Sequence, residues 1–558
     1  MVSGDDVVVY DSLYGYVRVP RFLYELMTLP QFQRLVFVRQ LSILPWLRYP
    51  GATHTRFEHC VGVAVLTYLF LGEWKCLLCD LVCRYLGSVG MLRRFFEEVL
   101  GRDVKSLVED ITSGLVAAAL LHDLYHSSWS HVLEDVLRHL LGRVTSFLGL
   151  CSIERVDKFM LHVAFNLAQE PSNPLFSVDL AELRRVVLDL LRRSGVSLVG
   201  EAVLKAALAY PSSSRGTVFV KSFDGVLKGS DLSRYLELFY EDFVDPLIRF
   251  VMDDCVLDLD RLDYLNRDSL HVWGEVVVNW SRMARALRPS LVEVGGRKRL
   301  VVVVPDSYVP LIQELFVRRL HQYAEIYESD ESRAVRELLL HITCAYLSSS
   351  AERDLDVGTK VLRLVATTDE ALLVRIADFL RERRVEVRER EGLLLRYTEY
   401  LLEDLKVQRL PCCIASLRTN IRLDLRRKLE VEVELTNAMF DFLERRGLCS
   451  QFLDLQDLFV RSLRYRCLDF VDVCGLPLVF ISLPVFEIGG GCEIVCRSSV
   501  LVRAGGEAIE VVATVPRSLC SYRIYVPWEV CRALSSEDLQ ELAKYLAERF
   551  NDIVKVSD

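Results

Sequence analysis

Ala117-Ala118-Ala119-Leu120-Leu121-His122-Asp123-Leu124-Tyr125-His126 is the stretch on which the fold turns. Apolar residues recur at intervals of three and four from Leu115 to Leu124, which predicts a buried helix delivering an imidazole and a carboxylate side by side. The two side chains diverge by about 100 degrees around a helix, yet both can reach one ion at its shoulder. Such a pair needs further donors, and two distant segments offer them. One is Pro50-Gly51-Ala52-Thr53-His54-Thr55-Arg56-Phe57-Glu58-His59; the other is Asp258-Leu259-Asp260-Arg261-Leu262-Asp263-Tyr264. The chain has 10 histidines, and His54, His59, His122, His126 and His131 all fall in or just after the first two stretches, a clustering that even spreading would not produce. A lone buried histidine is more often a hydrogen-bonded core residue than a ligand. Two imidazoles and two carboxylates together, from His59, His122, Asp123 and Asp260, are better read as a metal site. Mixed imidazole and carboxylate ligation suits a divalent ion and leaves Mn, Fe, Zn, Ni, Co and Mg open. Such an ion lowers the pKa of bound water and polarises a phosphoryl oxygen, as phosphoester hydrolysis requires.

Bulk properties narrow the setting. At 558 residues the chain exceeds one ordinary core, so two or more lobes are expected. With 51% hydrophobic and 26% charged residues it is no disordered chain. Apolar runs such as Cys60 to Leu71 are short for a bilayer, and Met1-Val2-Ser3-Gly4-Asp5-Asp6 has neither the basic nor the apolar part of a secretory signal. No membrane partner and a cytoplasmic location are therefore expected. A net charge of -9 argues against a general nucleic-acid-binding surface, whose affinity comes from cations displacing counterions. The 16 cysteines are read as buried thiols of an intracellular chain, with Cys76, Cys79 and Cys83 on one core-facing helical side and Cys492 and Cys496 straddling a strand.

The expected fold class is mainly α: a helical bundle with a small N-terminal β ribbon (Val7 to Tyr10, Gly15 to Val19) and a C-terminal α+β lobe. Helical periods run through Leu35 to Leu41, Val61 to Leu71, Leu92 to Leu100, Val132 to Leu141, Val156 to Ala168, Leu232 to Met252 and Leu311 to Ile342. The division is set at residues 1–345 and 346–558. In the second part, β-branched runs predict strands at Leu429 to Leu435, Leu478 to Ile481, Ile494 to Val502, Ala508 to Thr514 and Tyr522 to Val526, before an amphipathic helix from Asp538 to Phe550.

These segments resemble the HD-superfamily phosphohydrolases, and within them the deoxynucleoside triphosphate triphosphohydrolase branch that includes the sterile-alpha-motif-and-HD-domain enzymes. The resemblance covers about residues 5 to 375. It rests on the ligand segments and also on Asp11-Ser12-Leu13-Tyr14-Gly15-Tyr16, Leu29-Pro30-Gln31-Phe32-Gln33-Arg34-Leu35, Arg267-Asp268-Ser269 and Arg319-Leu320-His321-Gln322-Tyr323-Ala324-Glu325-Ile326-Tyr327. It implies metal ligation by His59, His122, Asp123 and Asp260, and release of triphosphate from a deoxynucleoside. Arg56, Arg261 and Arg319 would contact phosphates, as guanidinium forks suit. His126 and His131 would face the scissile phosphate, Asp268 the sugar 3'-hydroxyl, and Tyr264 and Tyr327 the sugar and base. His162 would donate a proton to the leaving 5'-oxygen. A nucleotide substrate and a homo-oligomer are the implied partners.

Departures from the family pattern concentrate beside the reaction centre. The family's Gly after His-Asp-Leu is Tyr125, its Gly-Pro-Phe is Ser127-Ser128-Trp129, its Gln-Leu-Gly is Gln40-Leu41-Ser42, and the Glu that follows its additional histidine is Val163. Thr28 and Val36 replace the acid and Arg that bind an activating guanine nucleotide in relatives, so no such activation is expected. Two alternatives stand beside the triphosphohydrolase reading: an HD phosphohydrolase or phosphodiesterase for another nucleotide, and a non-catalytic metal-binding scaffold.

Overall fold

The computed structural model describes residues 6–42, 48–145, 155–167, 178–227, 230–294, 296–347, 357–383, 389–407, 409–419, 423–458, 464–467, 471–474, 477–483 and 493–555. The chain begins with a hairpin of β1 (Val7–Asp11) and β2 (Gly15–Val19), paired Val7 to Val19. Asp11 closes its turn by accepting from the backbone N of Leu13 at 2.8 Å, and Gly15 takes the positive φ of 73° that the turn requires.

The long helix Arg56–Ser88 forms the axis of the bundle. A reciprocal cap starts it: Thr55 and Glu58 each accept the other's backbone N–H, which satisfies donors that a helix start leaves open. By length and composition this helix could cross a bilayer, but 61% of its most apolar window is buried inside the protein, so it serves as a core helix. Against it packs Val104–Leu121, capped by Asp103. Helix Leu198–Ala207 approaches the latter so closely that a Cβ on Gly114 would lie 2.4 Å from the Gly200 carbonyl oxygen.

β3 (Arg288–Val294) and β4 (Arg297–Val304) form a second hairpin that the sequence pattern had not marked. After it come β5 (Cys412–Leu417), β6 (Arg464–Cys467), β7 (Val471–Cys474), β8 (Phe480–Ser482), β9 (Glu493–Arg503), β10 (Ala508–Thr514) and β11 (Tyr522–Val526). Three sheets result in this part: β10-β9-β4-β3, β5-β11-β8 and β6-β7. β4 pairs in parallel with β9, Val302 beside Leu501, so one sheet joins residues from both sides of position 345. The helix Asp330–Leu347 also runs through that position.

Three sequence expectations change. Leu429 to Leu435 is not a strand but part of the helix Leu425–Arg445. Asp424 caps that helix by accepting from Arg427 N at 2.7 Å, and burial on several sides removes the need for a single apolar stripe. Leu35 to Leu41 holds only a short 3-10 turn, because Arg39 leaves it to bridge Thr55. The cysteines are mostly not core thiols: Cys76 and Cys83 are exposed, and Cys60 and Cys344 are the buried ones among the described residues. Trp74, Leu78, Leu81 and Val82 occupy the inward side of that helix instead. Cys492 lies outside the described residues.

Candidate active site

Four elements bring the candidate ligands together. His59 lies in the first turn of Arg56–Ser88, His122 ends Val104–Leu121, Asp123 follows in the next turn, and Asp260 opens the helix Leu259–Trp273, which Asp258 caps through Arg261 N at 2.7 Å. His59 Nε2 is 3.0 Å from Asp260 Oδ1 and 4.0 Å from Asp123 Oδ2; His122 Nε2 is 3.4 Å from Asp123 Oδ1 and 3.5 Å from Asp260 Oδ1. Donors bound at about 2.0–2.2 Å to one ion fall at about this mutual spacing.

Each imidazole is held by its other nitrogen. His122 Nδ1 donates to the Ala119 carbonyl at 2.7 Å, turning Nε2 toward the carboxylates, and that buried Nε2 has no hydrogen-bond partner among the described residues. His59 Nδ1 donates to Asp263 at 2.9 Å. Asp263 is fixed in turn by two bonds from Arg267, both 2.9 Å, and by Tyr14 at 2.7 Å, while Arg267 reaches Asp11 of the N-terminal hairpin at 2.9 Å. Orienting bonds of this kind set tautomer and ligand basicity. Gly62 makes room for them: a Cβ there would lie 1.9 Å from Arg267 Nη2 and 2.3 Å from Asp263 Oδ1.

The electrostatics call for a cation. Burial alone would lower the His59 pKa, but hydrogen bonds to Asp260 and Asp263 outweigh it and hold the imidazole at about 10. His122 is likewise raised against burial by Asp123 and Asp260. Asp123 and Asp260 stay well below the usual carboxylate range despite burial, because His122 and the other cations beside them favour their charge. The buried Asp123 and the partly exposed Asp260 therefore draw two positive charges, which two protons or one divalent ion can supply. A buried Nε2 that faces two carboxylates without a hydrogen bond among the described residues, and the mixed donor set, fit the ion.

His59, Asp123 and Asp260 open on a cavity of about 380 Å³, and Arg56, Arg261, Arg319, Tyr264, Asp268, Tyr327 and His126 line the same space. That volume suits a small-molecule ligand. Arg56 is ion-paired with Asp123. Arg261 donates to the Asp254 carbonyl oxygen. Arg319 stands over the Tyr323 ring, 5.5 Å from its centroid, with Nε lacking a hydrogen-bond partner among the described residues. Asp268 accepts from Tyr327 Oη on one side and meets His54 Nε2 at 2.8 Å on the other; His54 stacks on His271 at 4.3 Å.

The proton-transfer residues are arranged differently from expectation. His126 Nε2 lies 3.3 Å from Asp123 Oδ1 and 3.5 Å from Asp157 Oδ2; burial and then Arg56 push its pKa down. His162 is not among the described residues lining the cavity. It ends the helix Val156–His162 facing the Asn166 amide at 3.2 Å, and burial pushes it down to about 4. The side chain of His131 lies outside the described residues. In place of His162 the cavity wall has Arg155, which clamps Asp157 with bonds of 3.2 and 2.9 Å. Sequence reading missed both residues; the available signal was an acid set in the run Val156-Asp157-Lys158-Phe159-Met160-Leu161.

Ser42 and Trp129, the two departures that line the cavity, have φ of 61° and 60°. Side chains other than glycine rarely adopt this left-handed region. Trp129 is fully buried and pinned by Asp369, which accepts from its backbone N at 2.7 Å while its carbonyl accepts from Nε1 at 3.2 Å. Asp369 also accepts from Arg39 N at 3.0 Å. Arg34 donates at 2.8 Å to the carbonyls of Leu124, His126 and Thr367, tying the same loops together.

No family model matches the chain. Among curated proteins it is similar to the deoxynucleoside triphosphate triphosphohydrolase SAMHD1 of Danio rerio, 24% identical over 340 residues, which are 58% of this chain and 43% of that protein. The protein of the same name from Xenopus laevis is 28% identical over 322 residues, 57% of this chain and 42% of the relative. A putative HD domain-containing protein of Acanthamoeba polyphaga mimivirus is 30% identical over 126 residues, 23% of this chain and 25% of its own. The chain thus spans less than half the length of these relatives.

Proposed function

We propose, from its place in the HD-domain, SAMHD1-like family, that this chain is a metal-dependent phosphohydrolase releasing triphosphate from deoxynucleoside triphosphates. The observation that carries the reading is one cavity lined by three of the candidate ligands, with His122 directly behind them, and by Arg56, Arg261, Arg319, Tyr264 and Tyr327 among its five arginines and three tyrosines. When bound, a divalent ion would supply charge neutralisation and an activated water. His59, His122, Asp123 and Asp260 would hold it. Arg56, Arg261 and Arg319 would take the phosphate oxygens in place of solvent, Tyr264 and Tyr327 would flank the nucleoside, and Asp268 would receive the 3'-hydroxyl. His126 is the proton-handling group nearest the ligands; Asp157 orients it and Arg155 fixes Asp157. Ligand loading, nucleotide binding and assembly as a homo-oligomer belong to the same proposal.

A second reading, a different nucleotide at the same centre, is favoured by the wall that Ser42 and Trp129 form where relatives carry Gly-containing segments. One experiment separates the readings. The purified chain is incubated with each deoxynucleoside triphosphate and Mn, Mg, Co or Ni, and the anionic products are resolved by ion chromatography. Triphosphate supports the proposal, pyrophosphate or monophosphate supports the second reading, and no product from metal-loaded protein supports a non-catalytic scaffold. Asp123→Ala should abolish any turnover; unchanged turnover would place the site elsewhere.

A further inference from the structure

Two thiols that the proposed reaction does not use meet where the C-terminal strands dock on the catalytic lobe. Cys255, in the turn before the helix that carries Asp260, lies against β9 beside Cys496: its Sγ donates at 3.0 Å to the carbonyl oxygen of Arg497, the next residue along the strand. The same turn grips the strand beside that contact: the Asp254 carboxylate accepts from Ser498 Oγ at 2.7 Å and from Ser499 N at 2.9 Å. It also accepts from Val256 N at 2.9 Å within its own turn, so the backbone around Cys255 is already aimed at the strand. Both thiols are half-buried, accessible to a small reagent. On the cavity side of the turn, Arg261 donates to the Asp254 carbonyl.

We propose that Cys255 and Cys496 form a dithiol–disulfide couple, a covalent site at which a small disulfide oxidant such as glutathione disulfide fastens β9 to the turn that aims Arg261. Their surroundings divide the labour. The hydrogen bond from Cys255 pulls the Cys496 thiol below its ordinary value against burial, with Arg261 and Arg319 adding to the effect, while Cys255 is pushed up. The thiolate is the nucleophile of thiol–disulfide exchange. Cys496 Sγ attacks one sulfur of the oxidant, whose S–S bond breaks and releases one small thiolate. Cys255 then loses its proton to that thiolate and attacks Cys496 Sγ, expelling the second small thiol. Two protein thiols give up two electrons and two protons, and the oxidant leaves as two thiols. Cys412 and Cys531 are also in contact, but both lie in the C-terminal half, and burial pushes Cys412 up to about 12.

The test uses the full chain in glutathione redox buffers, followed by alkylation, digestion and mass spectrometry. A peptide joining Cys255 to Cys496 is expected in the oxidised sample, absent after reduction and absent from Cys255→Ser and Cys496→Ser. A cross-link closing so long a loop restricts the unfolded chain, so the oxidised wild type should melt higher than the reduced protein, a difference that both variants lose. Recovery of Cys255 and Cys496 as alkylated free thiols, under conditions that oxidise Cys412 and Cys531, would overturn the proposal. So would a linked peptide that leaves the melting temperature unchanged. Neither readout depends on turnover, so failure here leaves the phosphohydrolase reading standing, and the reverse holds.

Discussion

Gly62→Ala adds one methyl group on the helix that carries His59, and the expected result is loss of metal rather than loss of fold. The new Cβ would lie 1.9 Å from Arg267 Nη2 and 2.3 Å from Asp263 Oδ1, closer than side chains tolerate, so the Asp263–Arg267 pair must move. Asp263 then loses its hold on His59 Nδ1, now 2.9 Å away. Losing a ligand's orienting partner typically weakens metal affinity about 10- to 100-fold, or roughly 1.4–2.7 kcal/mol. Overpacking costs about 1–3 kcal/mol of stability, offset in part by the roughly 0.5–1 kcal/mol that alanine gains over glycine inside a helix. Gly72→Ala supplies the control on the same helix, where a Cβ meets nothing within 4 Å. The assay is competition for Mn against a fluorescent chelator, with circular dichroism to verify helicity. A folded Gly62→Ala protein that binds Mn within about twofold of wild type, against the 10- to 100-fold expectation, would refute the orienting role of Asp263.

Further outcomes follow from the same geometry. His126→Gln should reduce turnover by about 10²–10⁴-fold, as loss of a proton-transfer group does, whereas His162→Gln should leave kcat nearly unchanged; steady-state kinetics of both variants decide between them. Ser42→Gly removes a left-handed serine whose buried Oγ has no hydrogen-bond partner among the described residues; relief of strain, about 1 kcal/mol or more, should meet or exceed glycine's entropic cost, so thermal melting should show equal or greater stability. Asp404 is raised to about 7 by burial, with Glu529 adding repulsion. Its folded pKa lies above the ordinary value of 3.8, so the native state holds the proton longer, and stability from this group declines as pH rises from about 4 to about 7. Asp404→Asn should therefore gain in melting temperature over wild type across that window; a difference that does not change with pH would contradict it.

The helical class, and the convergence of His59, His122, Asp123 and Asp260, were legible because their signals are local or chemically distinctive. His122-Asp123 after an apolar run marks a candidate site within a few residues. The cavity residues Arg56, Arg261 and Arg319 followed from motif likeness, not from periodicity. Asp157 and Arg155 stayed hidden because their value comes from meeting His126 across the fold, and His162 was favoured by spacing along the chain although its ring turns toward Asn166. Leu429 to Leu435 read as a strand because alternation over a short run cannot reveal a helix buried on several sides. The pairing of β4 with β9 had no local signature, since each strand's partner lies far along the chain.

That pairing has a consequence for how the chain is made. β4 is synthesised with one edge already covered by β3, but the other edge has its partner only when β9 emerges much later. Until then Leu300 to Val304 presents an open, apolar strand edge, the kind of surface that recruits other chains. A ribosome stalled, or a gene shortened, before residue 493 would release a polypeptide with every candidate metal ligand in place and that edge exposed. β9 thus closes a strand edge laid down far earlier in the chain.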